Sequence, residues 1–129
     1  MQLSHEEIAN LLYTNCTTFL INTIDSGGFP YTEIIDTPIY KDTAKNYYFY
    51  TRHDSLTLRN LIVTTNSSFS FYNPTIYKKV TLKGLLRVIP ENQIHLSNGT
   101  LLLSQKEYQI VHFTSIEGLL YSDYQTHLF

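Results

Sequence analysis

Between residues 66 and 89 the chain alternates. Phe69 and Phe71 fall on one side of "SSFSFYN", and Val80 and Leu82 oppose Lys79, Thr81 and Lys83 in "YKKVTLKGLLRVI". A two-residue period sends successive side chains to opposite faces, so both runs are predicted strands with one apolar face. The same alternation marks "CTTFLINTI", where Phe19, Ile21 and Thr23 interleave with Thr18, Leu20, Asn22 and Ile24. The turn-forming "DSGG" at 25–28 then predicts a hairpin into a second strand, "PYTEIIDTPIY", whose Pro30 and Pro38 place its ends near an edge or a bulge.

A polar break, "KDTAKN", precedes the strand "YYFYT", and Asn98-Gly99 between apolar runs predicts another hairpin. "EYQIVHFTSIEGLLYSD" supplies one or two further strands and an ordered tail. Two segments carry helical spacing instead. In "LSHEEIANLLY", Ser4 and Glu7 stand three apart before Ile8, Leu11 and Leu12, the pattern of a capping box opening an amphipathic helix. In "DSLTLRNLIVTT", Asp54 or Ser55 can cap a short helix with Leu58, Leu61 and Ile62 on one face.

Composition sharpens this picture. The 129 residues suit one domain, 1–129, with a single core. Eleven Tyr and seven Phe favour half-buried strands and a mainly β (α+β) class. A formal net charge of −2 offers no field to attract nucleic acid or a membrane surface. No stretch reaches membrane-spanning length, and the first residues carry two acids rather than an apolar leader, so a cytoplasmic setting is expected. Cys16 is the sole cysteine, and the five histidines are dispersed, which predicts neither a disulfide framework nor a metal site.

The strand "FLINTIDSGGFPYTEII", the junction "YFYTRHDSLTLRNL" and the pair "FSFYNPTIYKKVTLKG" together resemble the pyridoxamine 5′-phosphate oxidase-like proteins, and the ending "IVHFTSIEGLLYSD" is similar to their small general-stress-protein branch. The resemblance implies a split β-barrel of about six to eight antiparallel strands with two short helices. It also implies a homodimer that binds FMN at its interface, and a small FMN-dependent oxidoreductase of unknown substrate. Carried over by position, Tyr50, Thr51 and Ser55 would hold the FMN phosphate, with Arg52 and Thr57 assisting, and Lys79 would stand against the flavin ring. A hydroxyl-bearing turn feeding a helix start offers free N–H groups and a positive dipole end to an anion.

The chain departs from the family at positions that are usually basic or often Arg: Leu56, Thr57 and Glu33 stand there. Those departures support an alternative from another class, a non-catalytic split-barrel dimer that binds another small planar ligand, haem or none. The residues themselves also fit a plainer reading, in which Thr51, Ser55 and Thr57 cap a helix beside a solvated Arg52, and Lys78, Lys79 and Lys83 form a strand's wet face.

Overall fold

The computed structural model describes residues 2–43 and 45–129. Helix α1 (His5–Thr14) opens on the expected capping box: the Ser4 hydroxyl accepts from the Glu7 N–H at 3.1 Å, and the Glu7 carboxylate accepts from the Ser4 N–H at 3.0 Å. The Ser4 N–H, and after it the Ser4 hydroxyl, hold the Glu7 carboxyl below its ordinary range. Strands β1 (Phe19–Ile24) and β2 (Pro30–Ile35) form the hairpin across 25–28, where Gly28 takes a φ of 84°.

The run predicted as one strand from Pro30 to Tyr40 is two. It breaks at 36–39 around the buried Pro38, and β3 (Tyr40–Asp42) then pairs with β4 (Asn46–Arg52). Helix α2 (Leu56–Asn60) has Ser55, not Asp54, as its cap, with the Ser55 hydroxyl accepting from the Leu58 N–H. It is shorter than the apolar spacing suggested. Leu58 and Leu61 pack on the core, but Ile62 is 86% exposed, since the β-branched run Ile62-Val63-Thr64-Thr65 disfavours another helical turn.

Strands β5 (Asn66–Asn73) and β6 (Lys78–Ile89) follow with the predicted alternation, then the small hairpin β7 (Gln93–His95) and β8 (Leu101–Leu103) around Gly99. The last segment is one long strand, β9 (Tyr108–Ser122), which turns at Asp123 and Tyr124 into β10 (Gln125–Leu128). Both turn residues have positive φ, 54° and 63°, as a two-residue turn matched to strand twist requires.

The main sheet has eight strands, in the order β2-β1-β5-β6-β9-β4-β3 with β10 on β9, and its pairings are antiparallel. Although β2 and β4 lie towards opposite ends of that order, Thr51 on β4 touches Glu33 on β2. The sheet therefore curls on itself into the split barrel. Its interior is aromatic: Phe19, Tyr47, Phe49, Phe69, Phe71 and Phe113 are each no more than 1% exposed. Phe69 contacts all five of the others at centroid separations of 4.9 to 6.1 Å, the range of favourable ring pairs. Helix α1 closes one end with Ala9, Leu12 and Tyr13, and Tyr13 meets Phe19, Tyr47 and Phe71. Desolvation there pushes the Tyr13 phenol up to about 12.

Candidate functional site

The strand-to-helix corner forms where β4 ends and α2 begins. Tyr50, Thr51, Arg52 and Ser55 line one cavity of about 240 Å³ with Glu33, Ile34 and Tyr108. Four of the six residues singled out from the sequence thus come together. Thr57 does not share that wall: it is fully buried, and its Oγ1 has no hydrogen-bond partner among the described residues. Lys79 is elsewhere. It pairs across β6 with Tyr72 on β5 and Tyr121 on β9, and the three residues line a second cavity of about 360 Å³ with Tyr77 and Lys78.

The corner's polar groups are already engaged. Thr51 Oγ1 lies 3.0 Å from Ser55 Oγ and 3.5 Å from Glu33 Oε2, while Ser55 Oγ accepts from the Leu58 N–H at 3.2 Å. A carboxylate only accepts, so when Thr51 donates to Glu33 its own oxygen is left for the Ser55 proton. The hydroxyls then form a chain that ends on the protein's own anion. Arg52 turns outward: its Nε is 3.2 Å from Asp54 Oδ1, its Nη1 is 3.7 Å from Glu107 Oε2, and its guanidinium sits 5.9 Å from the Tyr108 ring centre. These acids hold the Arg52 guanidinium above its usual range. The Tyr50 hydroxyl is also committed, donating to the Leu103 carbonyl at 2.6 Å.

These facts decide whether the corner suits a phosphate. Beside Glu33, a dianion meets a carboxylate at the place where its hydroxyl donors converge, and the nearest cation is neutralised by two surface acids. Like charges at such separations repel unless a cation intervenes. The residues present do not fit a phosphate dianion. The signal for Glu33 was available in the sequence, because it shares strand parity with Ile35, and Ile35 packs in the core.

Between helix α1 and the β5–β6 turn, His5, Ile8, Leu11, Asn73, Ile76 and Lys78 line a cavity of about 480 Å³. His5 stacks on His127 of β10 with ring centres 4.3 Å apart. This cavity and that of the tyrosines share Asn73 and Lys78, so they flank the same β5–β6 turn. Tyr77 in that turn is 77% exposed and has a φ of 53°, an uncommon conformation for a bulky residue. Sequence reasoning missed this place, because helix α1 and the turn lie about sixty residues apart and neither carries a motif.

It also missed a polar cluster on β4, β6 and β9. His112 Nε2 is 2.9 Å from Asn46 Oδ1 and 3.3 Å from Thr114 Oγ1, and its ring stacks on Tyr48 at 4.3 Å. Burial, and then the charge of the facing Arg87, press the His112 imidazole below its ordinary range. Among the described residues no group of three or more His, Cys, Asp or Glu could hold a metal ion, and no helix is long and apolar enough to cross a membrane.

No family model matches the chain, and no curated protein matches it by sequence. Solved structures do. A Clostridium acetobutylicum protein related to general stress protein 26 of Bacillus subtilis, of the pyridoxinephosphate oxidase family, is 14% identical with a TM-score of 0.81, over 98% of this chain and 96% of that one. The general stress protein 26 of Bacillus anthracis is 11% identical with a TM-score of 0.71, over 96% and 98%. A heme binding protein from Mycobacterium smegmatis is 12% identical with a TM-score of 0.78, over 100% of this chain and 59% of that one. At these identities the likeness is one of fold: the chain is a split β-barrel of the architecture shared by the general stress protein 26 and pyridoxamine phosphate oxidase-like structures.

Proposed function

We propose that the protein is a single-domain split-barrel homodimer that binds a planar ligand bearing carboxylates, of the haem type, in the clefts on either side of the β5–β6 turn. One observation carries this reading: the cavity of about 480 Å³ sets the apolar side chains of Leu3, Ile8, Leu11, Leu12 and Ile76 beside the His5 imidazole, the Lys78 ammonium and the amides of Gln2, Asn15 and Asn73, with no acidic residue among the described residues that line it. Apolar walls with a few placed polar groups are the usual make-up of a small-molecule site. The chain would contribute His5 as a nitrogen donor to the iron, with its stacked neighbour His127 fixing the ring, and Lys78 as the counter-charge for a carboxylate. The tyrosines of the adjoining cavity would extend the flat wall. Haem, when bound, supplies a redox-active iron tuned by its axial ligand. The fold shared with the Mycobacterium smegmatis heme binding protein supports the reading.

Titration with haemin tests it. A shifted, saturable Soret band is expected, and His5→Ala should abolish the shift while leaving the far-ultraviolet spectrum unchanged. An unshifted band, or a shift that His5→Ala leaves intact, rejects the reading.

A flavoprotein reading, an FMN-dependent oxidoreductase, has the Thr51–Ser55 hydroxyl pair at a helix start in its favour, together with the fold shared with the Clostridium acetobutylicum protein. It needs a homodimer to bring Lys79 of one copy to the corner of another. It also needs Glu33 to yield to a phosphate, which the corner's charges oppose.

A further inference from the structure

We infer that the β4–α2 corner is a site for a small organic cation, and that Glu33 sets this preference. The cavity is separate from the clefts around the β5–β6 turn, so the inference stands or falls apart from the haem-type reading.

Charge comes first. Around the corner stand three carboxylates, Glu33, Asp54 and Glu107, and one guanidinium, Arg52, a net charge of −2. Asp54 and Glu107 face outward and are engaged with Arg52. Glu33 is different: it is half-buried, it lines the cavity, and its contact is the hydroxyl of Thr51, which is only 3% exposed. Among the described residues no cation pairs with the Glu33 carboxylate, so it is incompletely compensated, and an ammonium group would supply the missing charge.

Shape and lining agree. About 240 Å³ suits a ligand of modest size, and Tyr50 and Tyr108, with ring centres 6.2 Å apart, bring aromatic surface to the same wall as Ile34 and Ile35. An aromatic surface beside a carboxylate is chemistry that recognises an amine with an apolar body, because ring faces attract cations and repel anions. Arg52, lying near the Tyr108 ring, shows the same preference at the cavity's outer edge. Thr51 and Ser55 offer hydroxyl oxygens that can turn to accept from an ammonium once Glu33 is shared with it.

The probes are benzylammonium, its neutral analogue benzyl alcohol, and phenyl phosphate. Binding is read by isothermal titration and by amide shifts in the nitrogen–proton spectrum of the wild-type protein. Benzylammonium is expected to bind at least tenfold more tightly than benzyl alcohol, to move the amides of Thr51, Ser55 and Leu58, and to lose at least tenfold in affinity in Glu33→Gln. Phenyl phosphate should leave those amides unmoved in the wild type and should bind to Glu33→Arg. The wild-type spectrum needs no variant to fold, so it decides the case alone if a substitution disrupts the barrel. Phenyl phosphate binding the wild-type corner as well as the amine, amine shifts mapping elsewhere, or no amine binding at all would each overturn the inference.

Discussion

The Tyr50 hydroxyl and the Leu103 carbonyl, 53 positions apart, meet in a hydrogen bond of 2.6 Å that ties the β7–β8 hairpin to strand β4. Asn98 Nδ2 makes a second tie, donating to the Tyr40 hydroxyl at 2.7 Å. The phenol at position 50 thus anchors a flap beside the corner. Tyr50→Phe removes one tie and should cost about 1 kcal/mol, the usual net worth of a hydrogen bond. Amide exchange should quicken in residues 93–103 and stay unchanged in β5 and β6. Equal exchange in the hairpin would contradict the assignment.

Gly84 and Gly118 both sit where β6 meets β9, yet they should respond differently to a methyl group. A Cβ on Gly84 would lie 1.9 Å from the Thr114 carbonyl oxygen, at the register shift between Lys83 and Gly84. The Thr114 backbone cannot turn aside and the buried Phe113 ring stands next to it, so Gly84→Ala should cost about 3 kcal/mol, the upper part of the overpacking range. The nearest atoms to a Cβ on Gly118 are those of the Phe129 ring, and a side chain can turn about its own torsions where a backbone carbonyl cannot. Gly118→Ala should therefore be the milder of the two in denaturant melts. The reverse order would mean that the Thr114 carbonyl yields more readily than the Phe129 ring.

His112 gives the fold an acid-side weakness. Its imidazole is pressed below the ordinary range by burial and by Arg87, so the unfolded chain takes up a proton at a higher pH than the folded one does. Between the unfolded and folded values the unfolded state binds more protons, and stability falls as pH falls through that window, from about 6.5 downward. Above it the imidazole is neutral in both states and contributes nothing to the slope. His112→Gln, which cannot titrate, should flatten the decline in melting temperature across this window. A decline as steep as that of the wild type would assign it to other groups.

Cys16 should be inert in the folded protein. Burial raises its thiol above the ordinary range, and its residue is 9% exposed, so little thiolate is present or reachable at neutral pH. Alkylation by iodoacetamide is expected to follow global unfolding. Rapid labelling under native conditions would contradict the packing of α1 against β1.

Local features were readable from the sequence because their causes are local. Ser4 and Glu7 are three residues apart, and the alternation of Phe69 and Phe71, or of Val80 and Leu82, is fixed by strand geometry alone. The break at 36–39 and the early end of α2 were not readable from periodicity, because buried Pro38 and the run of β-branched residues overrode the apolar spacing. The site divides in the same way. Tyr50, Thr51, Arg52 and Ser55 adjoin in sequence and adjoin in space, whereas Glu33 reaches Thr51 only because the sheet curls. The meeting of His5 with Lys78, and of Asn46 with His112, depends on long-range packing that no spacing encodes.

The direct test of Glu33 as the corner's resident anion is a paired titration of the wild-type protein with FMN and with riboflavin, which differ by the phosphate alone. If the carboxylate holds the place that a phosphate would need, the phosphate adds no affinity, and FMN binds no more tightly than riboflavin. FMN binding tenfold or more tightly than riboflavin would show the corner accepting the dianion and would contradict the account.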